Sequence, residues 1–138
     1  MEIDLAALEQ AGADYLPGKL GIVFDGWDGT VMRAHLDLDQ SLFAPNGYVH
    51  AGAIVTLADT ACGYGCILTR PDAATGFTTI ELKTNFLRST QQGTITCEAR
   101  LVHGGRTTQL WDATVSDGEG HTMALFRCTQ LLLYPKAS

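Results

Sequence analysis

One carboxylate, Asp59, stands in the middle of the most apolar stretch of this chain, GAIVTLADTACGYGCIL at residues 52–68. A lone ionised carboxylate withdrawn from water costs several kcal/mol even after relaxation. Asp59 must therefore be paired, raised in pKa or open to a wet cavity. A purely structural role, such as a hydrogen bond with the Thr56 hydroxyl, stands beside a chemical one. Directly upstream lies Asn46-Gly47-Tyr48-Val49-His50-Ala51-Gly52. If residues 52–68 form a helix, the N–H groups of Ala51, Gly52 and Ala53 are free at its start. Together with the macrodipole they can hold a partly negative oxygen, and Gly52 lets a ligand come close. A polarised carbonyl and a carboxylate that attacks or takes a proton are sufficient equipment to hydrolyse a thioester, whose thiolate leaves without much protonation.

Seven residues at about 1.5 Å each separate Gly52 from Asp59 by roughly 10 Å, too far for one carbonyl to meet both. The two can act on one substrate only if the carboxylate comes from the helix of a second copy, which implies an oligomer with symmetric paired sites. His50 is read either as a loop hydrogen-bonding residue or as a proton carrier. Arg88, Arg106 and Lys83, with Gly105 in the turn beside Arg106, are candidates for holding the phosphates of a ligand; the alternative is plain strand-end solvation. Ala61, Gly63 and Gly65 either open a groove for an acyl group or let helices pack closely.

These groups need a scaffold, and the periodicity outlines one. Ile3, Leu5 and Leu8 have near-helical spacing before Gly12, so residues 3–11 read as a short amphipathic helix. Residues 20–25 and 30–39 read as an antiparallel hairpin around the turn at 25–29, the second run alternating Met32, Ala34, Leu36 and Leu38 with polar residues. Residues 52–68 are long enough to suggest a membrane span. Asp59 at the centre and three glycines favour a helix buried inside a folded protein. From Gly76 onward the period is two, through Ile80 to Phe86, Ile95 to Leu101, Trp111 to Val115 and Met123 to Leu133. Turn signals at Gln92-Gly93, His103-Gly104-Gly105 and 117–120 predict that successive strands meander antiparallel. The expected fold is α+β: a long curved antiparallel sheet wrapped around one buried central helix, preceded by a short N-terminal helix. Its edge strands would be satisfied by pairing between chains.

The composition agrees. The 138 residues are 46% hydrophobic and 17% charged, which suits a single domain spanning 1–138. A net charge of −6 without a Lys or Arg block argues against nucleic-acid and anionic-membrane binding. Glu2 and Asp4 interrupt the start where a signal peptide would be apolar, so a cytoplasmic protein is expected. Cys62, Cys66, Cys97 and Cys128 read as small reduced core residues, because no second CxxC or close His pair completes a metal site. No metal and no cofactor beyond substrate CoA are expected.

The run NGYVHAGAIVTLADTACGYG resembles the helix-start signature of the PaaI-like branch of hotdog thioesterases, more often written with His-Gly-Gly before Leu-Ala-Asp. FTTIELKTNFLRST and LVHGGRTTQLWDATVSDGEGHTMA resemble the same family, so that the likeness covers residues 21–133 in order. The resemblance implies an acyl-CoA thioesterase with Asp59 as general base or nucleophile and the Gly52 N–H polarising the carbonyl. It also implies that His50 and Asn46 shape the site, that Thr79 helps to hold the attacking water, and that the protein is a dimer of dimers. Ala51 departs from the commoner glycine without removing the Gly52 N–H. Ser89-Thr90, where Pro-Ala is usual, carries no assigned role. Two rival readings on the same scaffold are an acyl-CoA hydratase or dehydratase using His50 and Asp59, and noncatalytic acyl-CoA binding.

Overall fold

The computed structural model describes residues 4–136. Helix α1, Leu5–Ala11, starts where the Asp4 carboxylate accepts the Ala7 N–H at 3.1 Å. Ile3, the first residue of the expected helix, lies outside the described residues. A second short helix, α2 (Leu16–Leu20), was not expected. Pro17 sits at its start, and Gly21 ends it with a left-handed φ of 88°. Leu20, read as the first strand residue, therefore belongs to α2, and β1 is shorter, Val23–Trp27. The hairpin of β1 with β2 (Val31–Asp37) is as expected. Its turn is tighter than expected, because the Asp28 carboxylate accepts the N–H groups of Thr30 and Val31 at 2.9 and 2.8 Å. Those bonds hold the Asp28 carboxyl well below the usual carboxylate range.

After a short 3-10 turn at Gln40–Leu42, α3 runs unbroken over Ala51–Thr69. Strands β3 (Gly76–Phe86), β4 (Thr94–Gly104), β5 (Thr108–Ser116) and β6 (Thr122–Leu133) complete one antiparallel sheet in the order β1-β2-β4-β5-β6-β3. This is the hotdog arrangement: the sheet curls around α3, which touches β2, β3, β4, β5 and β6. Met32, Leu36, Ile95, Trp111, Val115 and Met123 are fully buried with Leu57 and Cys62 of the helix. By length and composition α3 could cross a membrane, but its apolar surface is spent on this core.

The expected meander holds for β4, β5 and β6 and fails for β3. Gln92-Gly93 does not join neighbouring strands; β3 pairs with β6 at the far edge, and β4 pairs with β2. Burial explains the exchange. The inward residues of β4, Ile95, Cys97 and Ala99, are sealed in the core, whereas Ile80, Leu82 and Phe86 of β3 stay 56, 43 and 47% exposed. The more apolar strand takes the central place over α3. The chain returns across the sheet end through residues 87–93, where the Thr90 carbonyl accepts the Val49 N–H at 3.0 Å. Thr90, given no role above, thus ties this crossing to the loop that opens α3.

Gly63 and Gly65 serve neither an acyl groove nor helix–helix packing. A Cβ on Gly63 would lie 3.0 Å from the Phe77 ring, and one on Gly65 would strike the indole of Trp111. The small residues let Phe77 and Trp111 of the sheet lie against the helix.

Candidate active site

Asp59 is half-buried on α3, on the side facing β3. Its Oδ1 accepts from the Thr79 hydroxyl at 3.0 Å, a contact made across 20 residues of chain. A bulge between Thr79 and Glu81 puts the register out of step there and leaves Thr79 opposite Gln130 of β6. Oδ2 has no hydrogen-bond partner among the described residues and is not sealed from water. Burial raises the Asp59 pKa above its ordinary 3.8, and the Thr79 bond opposes that rise without cancelling it. Thr56, the alternative partner, bonds its own helix instead, donating to the Gly52 carbonyl at 2.8 Å.

The start of α3 is more occupied than expected. His50 is its N-cap, and the imidazole Nδ1 accepts the Gly52 N–H at 2.7 Å. The Ala53 N–H goes to the His50 carbonyl at 3.0 Å. Of the three N–H groups expected to be free, only that of Ala51 has no acceptor among the described residues. A capping imidazole satisfies the donor that a substrate oxygen would need, so His50 has to turn aside before Gly52 can bind one. The ring is exposed, which leaves room for that rotation. Asn46 shapes the loop: its Oδ1 accepts the Tyr48 N–H at 3.1 Å, and Gly47 turns the chain with φ 87°. Asn46, Tyr48, His50, Ala51 and Ser89 line a cleft of about 470 Å³ at the helix start. Ser89 therefore has a place in the site region that its type alone did not reveal.

Within one chain, Gly52 and Asp59 remain on the same helix, seven residues and roughly 10 Å apart. The expected cations do not converge either. Lys83 points from the middle of β3 into an outer-face cleft shared with Asp112 and Arg127. Arg88 lies beyond the last residue of β3, 3.9 Å from Asp117. Arg106 and Gly105 form the β4–β5 turn, where Gly105 donates to the Thr108 carbonyl at 2.9 Å and the Tyr134 hydroxyl bonds the Arg106 carbonyl. That turn lies at the Gly76 end of β3, on the order of 30 Å from Arg88 along the strand. Sequence nearness to turns could not say at which end of the sheet each turn falls.

Gln130 was missed altogether. It is fully buried and within 2.9 Å of the Thr79 hydroxyl. An uncharged glutamine in an alternating strand gives no signal until the fold places it. All four cysteines are unpaired and buried, as read from the sequence.

Comparison with known proteins agrees with this architecture. Residues 46–124 match the family model of the thioesterase superfamily, a span holding the α3 loop, Asp59 and Thr79. A 1,4-dihydroxy-2-naphthoyl-CoA hydrolase of Listeria monocytogenes is 32% identical over 95 residues, 68% of this chain and 76% of that protein. A crystallised mutant thioesterase of Pseudomonas aeruginosa superposes with a TM-score of 0.93 at 29% identity, covering 98% of this chain and 97% of that one. The PaaI protein of Escherichia coli shares the fold, with a TM-score of 0.82 at 23% identity over 96% of this chain and 94% of its own. The chain belongs to the thioesterase superfamily, hydrolases built on the hotdog fold.

Proposed function

We propose that the protein hydrolyses an acyl-CoA thioester to the free acid and CoA, in a two-fold dimer that brings Asp59 of one subunit to the α3 start of the other. The observation that carries this reading is Asp59 itself: a carboxylate of raised pKa with one oxygen held by Thr79 and the other open. The CoA hydrolase among its relatives supports the substrate class.

The β3 edge supports the dimer. It is 11 residues long, unpaired on one side and studded with exposed Ile80, Leu82 and Phe86. Such an edge is a template for another strand, and a second copy covers it without leaving a new edge. Helix α3 runs alongside β3 in the opposite sense, Gly63 facing Phe77 and Asp59 meeting Thr79. Continuing back to Gly52 adds about 10 Å, the length of about three strand residues, and reaches the level of Leu82. A two-fold axis at Glu81, the middle of β3, carries that level to Ile80. Gly52 of the partner subunit then lies about one residue from the level of Thr79 and Asp59. The same rotation brings the partner subunit's Arg106 and Gly105 to the sheet end that holds Arg88, two cations for the nucleotide phosphates. Lys83 stays on the outer face, where the same CoA would have to reach around the sheet. Two such dimers associate as a tetramer in this reading.

In the reaction, the thioester oxygen displaces the His50 ring from the Gly52 N–H, and Thr79 and Asp59 hold the attacking water. As general base, Asp59 takes a proton while the water oxygen bonds the carbonyl carbon; the C–S bond then breaks and the CoA thiolate recovers a proton. As nucleophile, Asp59 attacks the carbon directly, the C–S bond breaks to expel the CoA thiolate, and water then opens the resulting anhydride. Label carried into Asp59 after a single turnover in labelled water would establish the anhydride route, because the general-base route delivers the water oxygen only to the acid. No cofactor takes part. The four buried, unpaired thiols support a cytoplasmic setting, where such thiols stay reduced.

A thiol-release screen over aromatic and aliphatic CoA thioesters tests the reading, run beside Asp59→Asn. Release by the native protein and a loss of at least about 100-fold in the variant are expected. Near-native turnover by Asp59→Asn would exclude the carboxylate role, and silence across the whole panel would exclude hydrolysis of CoA thioesters.

A further inference from the structure

Thr79 sits between two acceptors: its hydroxyl lies 3.0 Å from Asp59 Oδ1 and 2.9 Å from Gln130 Oε1. A hydroxyl has one proton and cannot donate to both. Gln130 continues the chain, with its amide nitrogen 3.4 Å from the Cys128 sulfur. The glutamine is 0% exposed, so no water can relieve the conflict from its side. The two ends of a glutamine amide exchange by a half-turn that leaves the shape of the side chain unchanged. Two self-consistent directions follow, each giving every link of the chain one donor and one acceptor. With Asp59 protonated, donation runs Asp59 to Thr79 to Gln130 to Cys128. With Asp59 ionised it reverses: the Cys128 thiol donates to Gln130 Oε1, the Gln130 amide donates to Thr79, and the Thr79 hydroxyl donates to the carboxylate.

We propose that Gln130 is the positioning residue of this site, its reversible amide setting which way the Thr79 hydroxyl points at Asp59. A residue able only to accept, or only to donate, would leave Thr79 unpartnered in one of the two states that a carboxylate passes through in turnover. Glutamine serves both at one position and carries no charge into the core. The β3 bulge is part of the device, since it leaves Thr79 directly opposite Gln130. The inference rests on Asp59 as the chemical carboxylate proposed above. The other titratable groups facing this chain are Cys62 of α3 and Cys128 of β6. Burial pushes the Cys62 thiol far above its ordinary value, so it keeps its proton throughout.

Gln130→Met keeps the length and removes both hydrogen-bonding ends. Donation toward an anion is the stronger of the two states, so the ionised form of Asp59 loses more. The acid limb of the kcat profile is expected to move to higher pH, with kcat about tenfold lower and KM within about twofold of native. In a Thr79→Val background the same change is expected to lower kcat by less than about twofold, because Gln130 acts only through Thr79. Additive losses, or a native kcat and acid limb in a folded Gln130→Met protein, would overturn the proposal. Carboxyl carbon NMR reads the Asp59 titration without any substrate. An upward shift in Gln130→Met alongside a native protein that hydrolyses no CoA thioester would keep this inference and sink the thioesterase reading. Should Gln130→Met fail to fold, Gln130→Glu replaces it: a second carboxyl joined through Thr79 is expected to raise the Asp59 titration further, and an unmoved titration would overturn the proposal.

Discussion

The side chain on which the proposed chemistry depends is also one the fold holds at a cost. Burial lifts the Asp59 pKa, so folding penalises its ionised form. A carboxyl whose folded pKa lies above its unfolded value costs no stability below the unfolded pKa. It progressively withdraws stability as pH rises through the folded one. Asp59→Asn removes the ionisation and should melt at a higher temperature than the native protein at neutral pH, with the difference closing below the ordinary carboxylate pKa of 3.8. Scanning calorimetry at several pH values checks the sign; a lower Tm for the variant at neutral pH would mean the ionised carboxylate is held by more than Thr79. The need for an explanation of Asp59 was legible in the sequence, since no other charge lies in residues 52–68. Thr79 was named only through resemblance, as a holder of water; that it bonds Asp59 was not legible, and Gln130 not at all. The His50 ring caps α3 on the N–H that the proposed chemistry requires.

At the scale of elements, α3 is defined by what it lacks. Its glycines give up helix propensity so that Phe77 and Trp111 can reach the backbone. Gly65→Ala adds one methyl group where the fully buried Trp111 ring already lies. The gain in helix propensity of about 1 kcal/mol is outweighed by the displaced indole, and a net loss of about 1–3 kcal/mol is expected from urea unfolding. A stabilised Gly65→Ala would show that the indole has room to move. The strands and α3 were legible because periods of two and an apolar run of 17 residues are strong signals. Helix α2 was not: five residues around Pro17 and Gly18 carry no periodicity, and a terminal Leu20 fits a strand as well as a helix end. The exchange of β3 and β4 was equally hidden, because a turn signal marks where the chain bends and not which strand it meets next.

At the scale of the whole molecule, one chain holds both halves of the proposed site but keeps them roughly 10 Å apart on a single rigid helix. Mixed subunits test whether a second chain closes that gap. Asp59→Asn removes the carboxylate, and Gly52→Pro removes the N–H in the first helical turn, where proline is tolerated. Each homodimer should be nearly inactive. A hybrid of the two should regain one working site in two, about half the native rate per dimer, because one interface then pairs an intact Asp59 with an intact Gly52. Hybrids purified by two different tags and assayed for thiol release check this, and no recovery would return the site to a single chain.

The sequence by itself determined that α3 carries one carboxylate in need of an explanation, the antiparallel character of the strands and the burial of the one long helix. These depend on periodicity and on the cost of a lone carboxylate, both local properties. Only the tertiary structure decided that β3 sits at the open edge, that His50 covers the Gly52 N–H, that Arg88 and Arg106 part to opposite sheet ends, and that Gln130 meets Thr79. Each of those is a contact between distant segments, chosen by which apolar surfaces the sheet could seal against the helix, and no window of neighbouring residues contains that competition.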